Sequence, residues 1–135
     1  MGIGLAKRSL DVGLVVRDAD ACLGFYRDVI GLGHIGTIDM GGGNSMEQLA
    51  CGESVVKLLR LVETPPASNP PGGSPTATGL RYFTMFVDDL DDVIRRCAQA
   101  GAPTAFGPVE FMPGVRLVIV EDPDGNWVEF VHRSD

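Results

Sequence analysis

The residues able to do chemistry are few and dispersed. There are two histidines, His34 and His132, and three cysteines, Cys22, Cys51 and Cys97, with no C-x-x-C spacing. Three cysteines cannot all pair, so they read as reduced thiols of a cytoplasmic protein. Cys22 and Cys97 fall on apolar stripes and suit core packing better than nucleophilic attack. Gly41-Gly42-Gly43 is not a phosphate loop, because no Lys-Ser/Thr pair follows it. The net charge of −7 argues against a nucleic-acid partner, which requires a basic footprint. No apolar run approaches the roughly 18 residues that cross a bilayer. The remaining candidates are carboxylates, lysines and arginines on strands, with Phe83, Phe86, Phe111 and Trp127 as apolar lining.

Two similar sets of elements position them. Residues 9–16 alternate at period two and predict a strand. Asp18 then caps a helix whose stripe is Cys22, Phe25, Tyr26, Val29 and Ile30, stopped by Gly31 and Gly33. Residues 32–40, 45–50 and 54–61 predict three further strands. The second half repeats the order: a strand over 79–87, then Asp88 or Asp89 as cap. A helix follows on Leu90, Val93, Ile94, Cys97 and Ala98, ended by Gly101 and Pro103. A short strand over 104–106, ended by Gly107-Pro108, precedes strands over 115–121 and 127–132. The turn Asp122-Pro123-Asp124-Gly125-Asn126 joins the last two as a hairpin. Asp18 and Asp89 are 71 positions apart, which suits two copies of one module. The chain reads as one domain, residues 1–135, with module one at 9–63, a linker at 64–78 and module two at 79–133. Five of the nine prolines fall in that linker, predicting a semi-extended tether. The fold class is α+β: two βαβββ modules pair into an open cup-shaped mixed sheet with the helices outside.

Three segments carry a resemblance: Phe25-Tyr26-Arg27-Asp28-Val29-Ile30-Gly31-Leu32-Gly33, Val87-Asp88-Asp89-Leu90-Asp91, and Asp122-Pro123-Asp124-Gly125-Asn126-Trp127-Val128-Glu129-Phe130. With the order of elements, they resemble the vicinal oxygen chelate superfamily, which includes glyoxalase I, bleomycin-resistance and fosfomycin-resistance proteins, an epimerase and extradiol dioxygenases. The likeness covers both modules. It implies the fold more sharply than the reaction, since the superfamily spans isomerases, lyases, oxygenases and binders.

Enzymes of that superfamily carry a metal ligand on the first and last strand of each module, usually His and Glu or Gln, then His and Glu. The matched positions here are Asp11, Lys57, Tyr82 and Glu129. Only Glu129 keeps the usual type. An ammonium repels a divalent ion and has no lone pair, and a tyrosine coordinates only as phenolate. No cofactor is therefore expected. If a metal binds, Asp11 and Glu129 hold it, in the manner of Mg²⁺.

The same four residues imply acid–base chemistry. Asp11 or Glu129 would act as base, Lys57 would hold an oxyanion, and Tyr82 would donate a proton. Arg116 would orient an anionic group if its side chain faces inward, and Phe86 and Trp127 would line the substrate. Each has a plainer reading: Asp11 and Lys57 as a buried salt bridge that fixes the pairing of the modules, Tyr82 and Trp127 as packing, and Arg116 and His132 as surface residues. The expected function is a metal-independent lyase, isomerase or epimerase. The alternatives are a resistance-type binding protein, or a metal-dependent lyase or dioxygenase with atypical ligands. Members of the superfamily often dimerise, so a homodimer is expected, its modules paired within one chain or exchanged between two.

Overall fold

The computed structural model describes residues 2–134. Two compact units divide it, Met1–Pro66 and Ala67–Asp135. Each holds one four-stranded mixed sheet and a helical segment, giving an α+β fold.

In the first unit the order is β1 (Val12–Val15), α1 (Ala19–Leu23), a π-helical turn (Gly24–Val29), β2 (Gly33–Gly41), β3 (Asn44–Cys51) and β4 (Ser54–Arg60). The sheet order is β1-β4-β3-β2, with β1 parallel to β4 and the other pairs antiparallel. Asp18 caps α1 by accepting the Ala21 N–H at 3.0 Å. The expected continuous helix widens after one turn, because Ile30 N bonds Phe25 O at 2.9 Å, five residues back. The wider turn buries the adjacent Phe25 and Tyr26 together, their rings edge to face at 4.9 Å. Leu49, Val56 and Leu58, which share a face by register, form the core below.

The second unit repeats the plan with β5 (Tyr82–Phe86), α2 (Leu90–Gln99), β6 (Thr104–Met112), β7 (Val115–Glu121) and β8 (Trp127–Arg133). Its order is β5-β8-β7-β6, with β5 parallel to β8. Asp89 is the cap of α2, accepting the Asp92 N–H at 3.0 Å. Val118, Val120, Val128 and Phe130 form the core face, and Leu90 and Cys97 are the fully buried residues of α2. Burial pushes the Cys97 thiol up, which leaves it a poor nucleophile. A smaller cluster of Leu117, Ile119 and Val131 lies on the opposite face, beside Trp127 and Val109.

Strand β6 runs six residues beyond its expected end at Phe106. The register shifts between Phe106 and Val109, so Gly107-Pro108 sits in a bulge and the missing proline N–H leaves no gap in the ladder. The β7–β8 turn is built on Asp122, only 3% exposed. Its Oδ1 accepts the N–H groups of Asp124 and Asn126, each at 2.9 Å, and its Oδ2 accepts the Asn126 amide at 3.1 Å. Asp122→Ala strips those buried donors of their acceptor. It is expected to cost about 1–3 kcal/mol by urea unfolding.

The proline-rich segment after Ala67 folds as a strap around one side chain. The Arg81 guanidinium donates to Gly73 O (2.8 Å), Pro70 O (2.6 Å), Asn69 Oδ1 (3.1 Å) and Thr76 Oγ1 (3.2 Å). The Thr76 hydroxyl in turn donates to Pro71 O at 2.6 Å.

Candidate functional site

Strand pairing fixes which side chains can meet. In the first unit Lys57 pairs with Gly13 and Gln48, placing it on the face opposite Leu49, Val56 and Leu58. Asp11 immediately precedes β1 and belongs to the same face. Its Oδ1 accepts the Val55 N–H at 2.8 Å and the Lys7 ammonium at 2.6 Å, while Oδ2 lies 3.7 Å from the Lys57 ammonium. The Lys7 hydrogen bond, then that of Val55, holds the Asp11 carboxyl below the usual aspartate range. Asp11 and Lys57 thus form an ion pair, but a part-exposed one within the first unit rather than a buried bridge between modules.

The direction of that shift sets a pH signature. A carboxyl whose folded pKa is depressed adds stability above its unfolded pKa, near 3.8, and loses it as pH falls through the folded value. Asp11→Asn is therefore expected to lower the urea midpoint at pH 7. The gap from wild type should close below about pH 3.8, and high salt should narrow it at neutral pH.

In the second unit Tyr82, Thr84 and Phe86 pair with Trp127, Glu129 and Val131, so all six share the face away from the Phe130 core. The Thr84 hydroxyl donates to Glu129 Oε1 at 2.7 Å. Phe86 is 61% exposed and Tyr82 49%. The Arg133 guanidinium sits 4.6 Å from the centre of the Phe86 ring. Trp127 is half-buried beneath the strap, and its indole N–H is buried with no acceptor among the described residues. The Gly73 backbone crosses the indole so closely that a Cβ there would lie 2.3 Å from ring carbons.

The structure thus groups Asp11 with Lys57 in one unit, and Tyr82, Phe86, Trp127 and Glu129 on one sheet face in the other. It separates Arg116 from that group. Arg116 pairs with His132 and Glu110, on the face opposite Glu129, and its Nη2 lies 3.2 Å from Asp91 of α2. The inward orientation that its substrate role required is absent, because it lies three positions, an odd offset, from Ile119, the register partner of Glu129. Phe83 pairs with Val128 and turns toward the core face. His132 donates from Nδ1 to Val87 O at 3.0 Å.

Three polar partners were invisible in the residue pattern: Lys7 on Asp11, Thr84 on Glu129, and Arg81 with its strap. Thr84 was the accessible one, two residues beyond Tyr82 on an alternating strand. A further buried carboxylate, Glu47, is 7% exposed on the core side of the first sheet. It accepts the Thr37 hydroxyl and lies 3.3 Å from His34 Nε2. Among the described residues no group of three or more His, Cys, Asp and Glu side chains is placed to hold a metal ion.

The family model described as Glyoxalase/Bleomycin resistance protein/Dioxygenase superfamily matches residues 8–130. The chain belongs to that superfamily. A glyoxalase family protein from Bacillus cereus is similar over 100% of this chain and 99% of its own, with TM-score 0.83 and 19% identity. TnmS3, an antibiotic binding protein from Streptomyces sp. CB03234, is similar over 99% of each chain, with TM-score 0.70 and 22% identity. A lactoylglutathione lyase from Agrobacterium tumefaciens is similar over 92% of each chain, with TM-score 0.65 and 26% identity. A lactoylglutathione lyase and an antibiotic binding protein therefore share this fold. Asp11 and Tyr82, like Asp18 and Asp89, are 71 positions apart, and Lys57 and Glu129 pair with Gly13 and Thr84, each two residues beyond those positions.

Proposed function

We propose that this glyoxalase-superfamily protein captures a small aromatic, oxygen-bearing molecule without converting it and without a divalent metal. One observation carries this reading: strand register gathers Tyr82, Phe86 and Trp127 on a single face around Glu129. Aromatic rings supply a large contact area with little entropy lost, and the carboxylate adds a polar point that fixes orientation. The antibiotic-binding relative of the same fold lends it weight.

The donor chemistry does not fit the metal of the superfamily's enzymes. Both Asp11 oxygens are engaged, by an amide and two ammonium groups. A divalent ion there would meet two positive charges before it met a free lone pair. A carboxyl held below the usual aspartate range is also a weaker base, which counts against Asp11 in proton abstraction.

A second reading, an acid–base lyase, isomerase or epimerase, is favoured by Glu129 alone. Its hydrogen-bond partner is the neutral hydroxyl of Thr84, so the carboxylate is not neutralised by that contact. Under either reading the protein is a homodimer in the cytoplasm. No described helix is long and apolar enough to cross a membrane.

A thermal-shift panel of planar aromatic acids, quinones and acyl thioesters, followed by mass spectrometry of the recovered ligand, separates the two. Binding is expected to raise the melting temperature, because a native-state ligand must stabilise, and the ligand should return at unchanged mass. A product that disappears in Glu129→Gln would replace the binding reading with the catalytic one.

A further inference from the structure

Arg81 is the unusual cation of the second unit. Its four hydrogen bonds all run to neutral oxygens, those of Gly73, Pro70, Asn69 and Thr76. No carboxylate of the described residues pairs with it, whereas Arg95 and Arg96 share Asp92 and Arg116 holds Asp91. In a chain of net charge −7, a half-buried guanidinium left without an anion stands out. The four bonds use Nε, one Nη1 position and both Nη2 positions. A guanidinium has five N–H groups, so one Nη1–H remains.

A cavity of about 470 Å³ lies against this group, lined by Ser74, Thr78, Gly79, Leu80, Arg81 and Tyr82. Its wall joins the strap to the start of β5. It therefore adjoins Tyr82, which also belongs to the aromatic face. It is open to solvent, Leu80 being 93% exposed and Ser74, Thr78 and Tyr82 exposed as well.

We propose that this cavity is a carboxylate subsite, in which the spare N–H and uncompensated charge of Arg81 take the acid group of an aromatic ligand while its ring extends toward Tyr82. The inference rests on the binding reading above and names the class of ligand: small aromatic carboxylic acids. Arg81 then has two tasks. Four donors shape the strap, and the charge they leave unneutralised selects an anion. Charge-assisted contacts of this kind are about twice as strong as neutral ones.

The test uses two isosteric probes, 2-naphthoate and 2-naphthamide, titrated into the full chain and followed by isothermal titration calorimetry, which the probes' own absorption and emission do not disturb. Wild type is expected to bind the acid about tenfold more tightly than the amide, a ratio worth about 1.4 kcal/mol. In Arg81→Gln the two probes should bind alike, both weakened to the extent that the strap loosens without its four donors. Thr76→Val loosens the strap but keeps the charge, so it should retain the preference for the acid. That variant separates recognition from simple support of the loop. Equal binding of acid and amide to wild type, or a preference that survives Arg81→Gln, would overturn the subsite and leave the aromatic site standing. Failure of both probes to bind would remove the binding reading and the subsite with it.

Discussion

Phe130→Ala is expected to lower the unfolding free energy of the protein by about 3–5 kcal/mol, the range for emptying a phenylalanine site in a packed core. Phe130 has no exposed surface. It pairs with Met85 on β5 and Val118 on β7, so its ring sits at the middle of the second sheet, where both hydrogen-bonded neighbours supply buried apolar partners. The residues on either side of it in β8 are Glu129 and Val131 on the opposite face. Removing the ring therefore loosens the strand that holds the candidate site. Chemical unfolding followed by far-UV circular dichroism measures the loss. A change below about 1 kcal/mol would mean that the sheet collapses around the void, or that the core is not packed as described.

Gly73→Ala is expected to have the next largest effect, by a different route. Gly73 is buried with φ +65°, a conformation that alanine adopts only at a cost of roughly 1–2 kcal/mol. The added methyl would also lie 2.3 Å from three carbons of the Trp127 ring. Both terms act against the docked strap, and together they reach about 2–4 kcal/mol. The strap can swing away, so the loss of global stability is capped by the energy with which it docks. The sharper readouts are consequently local: Trp127 emission should move to longer wavelength, and protease cleavage within residues 67–78 should quicken. Unchanged emission in Gly73→Ala would show that the strap does not rest on the indole.

Much of this architecture can be read from the residues, and the exceptions have identifiable causes. Strand β7 runs over the expected 115–121, because flanking turns and a β-branched run leave little choice. The first helix was legible only as a stripe. Offsets of 3, 4, 7 and 8 look the same whether or not one turn is π-helical, and the adjacency of buried Phe25 and Tyr26 was the available hint. Strand β6 continues past Gly107-Pro108, although proline normally ends a ladder, through a bulge, a tertiary solution that local sequence does not announce. Arg116 was hidden by the near-continuous burial of β7, where Leu117, Val118, Ile119 and Val120 mask the alternation. The hairpin register, Glu121 against Trp127, recovers its parity and puts it on the other face. The segment 64–78 showed its prolines but not its anchor. Nothing local marks Arg81 as the residue around which oxygens of four other residues converge.

Ligand capture comes down to one face of the second sheet. Nuclear magnetic resonance of isotope-labelled protein, titrated with 2-naphthoate, tests it most directly, since Trp127 contributes the sole indole N–H signal. Saturable shifts of that signal and of the Tyr82 and Phe86 rings are expected, with the Phe130 and Glu47 environments unmoved and the ligand recovered intact. Shifts centred on Glu47 and His34, on the other side of the first sheet, or release of a chemically altered ligand, would contradict it.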